Sequence, residues 1–90
     1  MNKVIITVVG KDNKGIIARV CTYLADNDAN ILDISQTIVG GYFNMMMIVD
    51  LADTACNFDR VQSDLAELGH AMGLEVKCQR EEIFEKMHRI

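Results

Sequence analysis

Two glycines, Gly10 and Gly15, bracket the charged stretch Lys11-Asp12-Asn13-Lys14, and Ile16-Ile17 follow at once. Nowhere else in the chain do glycines, a charge cluster and a helix start converge. The spacing G-x-x-x-x-G is that of a phosphate loop, but such a loop needs Lys and Ser/Thr directly after its second glycine to reach phosphates and Mg²⁺. Isoleucines stand there instead, which excludes nucleotide hydrolysis. What remains is backbone chemistry. Asp12 or Asn13 is in place to cap a helix, and the free N–H groups of its first turn, at the positive end of the helix dipole, suit a carboxylate. The plainer alternative is a capped strand-to-helix turn with nothing bound, since every helix start shares these features.

The other reactive side chains have simpler explanations. Asp50 and Asp53 close a strand and Glu81, Glu82 and Glu85 open a helix, where acids are expected without any acid–base role. His70 belongs to the last turn of a helix and His88 to the tail, neither with partners at metal-ligand spacing. No metal and no cofactor are expected. Cys21, Cys56 and Cys78 contain no C-x-x-C pair, so neither a zinc knuckle nor a disulfide framework is indicated. Cys21 and Cys78 fall on apolar faces, as core cysteines do, and Cys56 is expected to be the most exposed. Met45-Met46-Met47 alternate faces in a strand, which suits gap filling. With no nucleophile and base in sight, an enzyme is disfavoured.

Ninety residues suffice for one domain but give a small core that gains from self-association, so a homodimer is expected. Nine Lys and Arg against thirteen Asp and Glu leave a net charge of −4 with the basic residues dispersed, which argues against nucleic acid and anionic membranes. No apolar run approaches the ~20 residues of a membrane span, and the N-terminus lacks a signal-peptide pattern. Free cysteines and the missing leader point to the cytoplasm.

The elements that position the loop follow from periodicity. Val4–Val9 is a β-branched run closed by Gly10, and reads as a strand. From Gly15, residues Ile17, Val20, Cys21 and Leu24 recur at helical spacing until Asn27-Asp28. Ile31–Val39 alternates, Gly40-Gly41 suits a two-residue type I′ hairpin, and Tyr42–Leu51 returns as the third strand. Asn57–Met72 carries Phe58, Val61, Leu65, Leu68 and Met72 on one face, with Asp53, Thr54 or Asn57 as cap and Gly73 as stop. Leu74–Gln79 alternates as a fourth strand, and Ile83, Met87 and Ile90 share a face of a short terminal helix. The order βαββαβ predicts an α+β, ferredoxin-like sandwich with both helices on one sheet face, over residues 1–80, with 81–90 as a helical tail. The first and third strands are apolar on both faces. The second face therefore needs a cover, either the tail, through Ile83, Phe84 and Met87, or another subunit.

The stretch IITVVGKDNKGIIARV from Ile5 to Val20, followed by ANILDIS from Ala29 to Ser35, resembles the ACT domain family in its turn glycine, in D-x-x-G-[IV] and in the Asn-Ile entering the second strand. The full length, the Asp33–Thr37 stretch and the Ile83–Met87 tail are similar to small stand-alone members, themselves similar to the regulator of the glycine cleavage system. The resemblance implies a regulatory module that binds an amino acid or another small ligand without transforming it. It also implies side-by-side pairing of two domains into an eight-stranded sheet. Ligand then lies between the first loop of one copy, here Gly10, Asp12, Asn13 and Gly15, and the entry to strand two of the other, here Asn30 and Ile31. Lys14 stands where many members carry proline.

Two functions fit. One is a dimeric sensor that binds an amino acid and acts on a separate target protein. The other is a protein-interaction module that grips a partner through its apolar sheet face or terminal helix, its loop purely structural.

Overall fold

A computed structural model describes residues 2–11, 15–51 and 57–80. The elements are β1 (Lys3–Lys11), α1 (Ile16–Asp26), β2 (Asn30–Val39), β3 (Tyr42–Asp50), α2 (Phe58–Ala71) and β4 (Glu75–Arg80). The four strands form one antiparallel sheet in the order β2-β3-β1-β4, with β1 at its centre and β2 as an edge. This is the ferredoxin-like βαββαβ architecture expected from the periodicity. Residues 81–90, where a terminal helix is expected, and Cys56 lie outside the described residues.

Alternation in β1 sets the layers. Val4, Ile6 and Val8 are fully buried and oppose Val49, Met47 and Met45 of β3. Onto this face come Ile16, Val20 and Leu24 from α1 and Val61 and Leu65 from α2, so one contiguous core holds both helices to one side. The face of α1 begins one residue earlier than the sequence reading has it. Ile16 is buried, whereas Ile17 and Cys21 are half-buried at the edge of the core. With two isoleucines in succession, periodicity alone does not choose between them.

Chain reversals follow local chemistry. Gly40 and Gly41 have φ of 58° and 82°, the two positive values that a type I′ hairpin requires. Asn57 caps α2 by accepting the Arg60 N–H at 2.8 Å. At the far end Gly73, at φ 73°, turns the chain so that the Leu74 N–H reaches the Gly69 carbonyl at 2.8 Å. A register shift between Ile31 and Asp33 leaves Leu32 as the extra residue of a β-bulge. The unbroken alternation expected from Leu32 through Ile34 to Ile38 is therefore corrected. Ile31, Ile34, Gln36 and Ile38 oppose core-facing residues of β3, and Leu32 stands outside the pattern.

Candidate ligand-binding site

The loop from β1 to α1 starts at Gly10, which pairs with Phe43 and lies against Leu74. A β-carbon at Gly10 would collide with the Leu74 side chain, so close packing of the β4 entry accounts for this glycine. Capping by Asp12 or Asn13 was the expectation for α1. Instead the N-cap position is Gly15, in the left-handed region at φ 86° and ψ 2°. Its carbonyl accepts the Arg19 N–H at 2.9 Å, but it has no side chain with which to cap. Asp12 and Asn13 lie outside the described residues. The first turn of α1 contains no acidic residue, whereas α2 has Asp59 there besides its Asn57 cap. The α1 N-terminus thus receives neither a cap from Gly15 nor an acid from its first turn, a setting that favours an incoming anion.

Asn30 and Ile31 open β2. Asn30 is exposed and opposite Asp50; Ile31 is half-buried, opposite Val49, and packs on the core. By register, Asn30 belongs to the face away from the helices and Ile31 to the helix face. The bulge at Leu32 follows directly, and the Asp33 carboxylate accepts the Ile34 N–H at 2.8 Å just beyond it.

The expected site residues divide into two groups. Gly10 and Gly15 flank the loop at one end of the sheet, and Asn30 and Ile31 lie at the other. Gly10 pairs with Phe43 and Asn30 with Asp50, seven residues apart on β3, a separation of roughly 23 Å at the usual rise of a strand. One copy does not bring the two groups together.

Other side chains support the scaffold. The Tyr23 hydroxyl donates to the Asp64 carboxylate at 2.6 Å, and the Arg60 Nε lies 3.4 Å from the same oxygen, tying α1 to α2. Forty-one positions separate Tyr23 from Asp64, and no local pattern signals that pair. The Gln62 amide donates to the Cys78 carbonyl at 3.0 Å, and the Arg80 guanidinium stacks 4.5 Å from the Phe58 ring centre. Cys78 is buried in the core, as its apolar face predicts, and burial pushes its thiol from 9.0 up to about 11. Among the described residues no three His, Cys, Asp or Glu side chains gather as a metal site would require. No described helix is long and apolar enough to cross a membrane.

A two-layer sandwich of four antiparallel strands under two helices, with a glycine-flanked start to α1, defines a small α+β domain. The chain belongs to the ACT domain family, whose match covers residues 2–79, and whose members commonly bind amino acids in regulation. It is 62% identical to a UPF0237 protein of Bifidobacterium longum over 90 residues, the whole of both chains. Among solved structures it is similar to an ACT domain protein from Streptococcus pneumoniae, with a TM-score of 0.81 and 39% identity over 93% of this chain and 94% of that one. A putative glycine cleavage system transcriptional repressor gives a TM-score of 0.76 and 28% identity, over 88% of this chain and 45% of the repressor.

Proposed function

We propose that the protein is a dimeric sensor that binds an amino acid between two copies and passes that state to a separate target protein in the cytoplasm. It carries out no chemistry of its own. The separation of Gly10 from Asn30 carries this reading. The two groups that the family resemblance assigns to one ligand lie at opposite ends of a single sheet, so a complete site needs a second copy. Antiparallel pairing of two β2 edges would bring the Asn30 end of one copy level with the Gly10 end of the other. Three strand spacings, roughly 14 Å, would then remain for the loop and the ligand to fill.

The chemistry suits a zwitterion. N–H groups at the start of α1 favour the carboxylate, an Asp12 side chain suits the ammonium, and the Asn30 amide bonds either end. The β2 edge is fit for pairing: Leu32, Ile34, Ile38 and Val39 are all exposed, an unusual load of apolar side chains for an unprotected edge strand.

Titration calorimetry on Asp12→Ala and Asn30→Ala tests the site. Loss of the Asp12 charge-assisted hydrogen bond should cost about 1.5–3 kcal/mol, weakening amino-acid binding roughly 10- to 150-fold with the dimer intact. Asn30→Ala should weaken binding less. Unmoved affinity in both variants would place the site elsewhere, and a protein that binds no amino acid would favour the interaction module.

A further inference from the structure

Backbone hydrogen bonds alternate along the sheet, and the Gly40-Gly41 hairpin sets their phase. In a two-residue hairpin the flanking pair, here Val39 and Tyr42, exchanges both N–H···O bonds, so the pairs Thr37–Asn44 and Ser35–Met46 do the same further along. Ile34, Gln36 and Ile38 therefore turn their N–H and C=O groups away from β3, along the free edge of β2. Two bonds elsewhere keep the same phase. Carried across β3 and β1, the alternation turns Leu51 toward Asn2 and turns Cys78 outward from β4. The Leu51 N–H donates to the Asn2 carbonyl at 2.8 Å, and the outward Cys78 carbonyl accepts from the Gln62 amide at 3.0 Å. The two edges are closed off differently. On β4 the lock comes from another element, α2. On β2 the Ile34 N–H donates to the carboxylate of the residue before it, Asp33, at 2.8 Å. That lock is a single exposed side chain, and it opens by rotation about its own Cα–Cβ bond. An edge built to stay single carries charge or proline, whereas Leu32, Ile34, Ile38 and Val39 all expose apolar surface here. The occupant that fits is a second β2, because the outward groups of one strand complement those of an antiparallel copy about a two-fold axis.

We infer that the Asp33 carboxylate gates this edge: a second copy closes on β2 only when Asp33 gives up the Ile34 N–H. The inference rests on the β2 seam proposed above. With the Asn30 end of one copy level with the Gly10 end of the other, Asn30 stands opposite the partner's Ile38, and the axis passes at Ile34 or at Ser35. An axis at Ile34 directs its N–H to the carbonyl of the partner's Ile34. An axis at Ser35 directs it to the carbonyl of the partner's Gln36. Either arrangement calls on the Ile34 N–H of both copies at the centre of the seam, and in the single copy Asp33 holds that donor. Closing the shared ligand site and opening the Asp33 lock are thus one event.

The test uses the full chain. Asp33→Ala deletes the competing acceptor from each copy, and two such bonds should tighten the dimer roughly 5- to 150-fold in sedimentation equilibrium. An unchanged or weaker dissociation constant would overturn the inference. Asp33→Asn removes the same charge but keeps an acceptor oxygen, so it should tighten the dimer less than Asp33→Ala does. Equal tightening by both would assign the effect to charge repulsion across the axis and remove the gate. Amide hydrogen exchange on the unsubstituted protein, followed residue by residue as it is concentrated from monomer to dimer, supplies a second readout. The Ile34 amide should exchange several-fold more slowly once the dimer forms. Slowing at Gln36 or Ile38 without Ile34 would overturn the gate and leave the β2 seam standing, whereas a dimer in which none of the three slows would remove the seam and the gate with it.

Discussion

If two copies pair through their β2 edges as proposed, replacing Ile34 and Ile38 together by lysine should separate that dimer into folded monomers. By register both residues oppose the core-facing Met47 and Phe43, yet they are 42% and 59% exposed, because the helix layer stops short of the β2 edge. Their uncovered portions amount to about one whole isoleucine per copy, worth roughly 2 kcal/mol if a second copy buries them. A two-fold axis counts every loss twice, so the double variant gives up about 4 kcal/mol, roughly a thousandfold in the dimer dissociation constant. Four lysines brought together across the axis add repulsion to that figure. The fold should survive, because a lysine stem still covers the apolar surface beneath it while its ammonium reaches water. Sedimentation equilibrium over a range of concentrations, with circular dichroism to verify the fold, is the assay. A double variant that stays folded and dimeric with an unchanged dissociation constant would refute the assignment of the β2 edge as the seam.

Further outcomes follow from packing and burial. Gly69→Ala gains about 1 kcal/mol of helix propensity, but the new β-carbon would collide with a Val76 methyl and sit 3.1 Å from the Leu74 carbonyl oxygen, between α2 and β4. Overpacking at such a site costs about 1–3 kcal/mol, so the urea midpoint should fall; a higher midpoint would show that the helix and strand separate freely. Cys78, its thiol pushed up to about 11, holds a thiolate population about a hundredfold below that of an unburied thiol at neutral pH. Peptide mapping after brief alkylation at pH 8 should find half-buried Cys21 modified well before Cys78, and equal labelling would contradict the burial. Raising the pH from 9 toward 11 should also lower stability, because the unfolded chain releases the Cys78 proton first, and Cys78→Ala should flatten that dependence.

Much of the fold was legible because local signals and global topology agree. The Gly40-Gly41 hairpin, the α2 face with its Asn57 cap and Gly73 stop, and the burial of Val4, Ile6 and Val8 each rest on a short-range pattern with one physical solution. The bulge was not legible, since the extra residue, Leu32, is itself apolar and keeps the alternation intact on paper. Nor was the choice between Ile16 and Ile17 as the first core residue of α1, or the bond from Tyr23 to Asp64, which only the packing of α1 beside α2 creates. At the site, the glycines showed where backbone would do the work, but they pointed to a cap from Asp12 or Asn13 where Gly15 holds that position. The distance from Gly10 to Asn30 depends on strand register, which no stretch of sequence contains by itself.

The most direct test of a site shared between two copies is a thermal-shift panel of the twenty amino acids. It is run side by side on the unsubstituted chain and on the Ile34→Lys, Ile38→Lys double variant. A ligand that binds only the native dimer raises the melting midpoint, and by more the further its concentration exceeds its dissociation constant. At least one amino acid should raise the midpoint of the unsubstituted chain, and that same amino acid should leave the monomeric variant unmoved. An equal shift in both proteins would contradict a site built from two copies, and no shift in either would contradict amino-acid sensing itself.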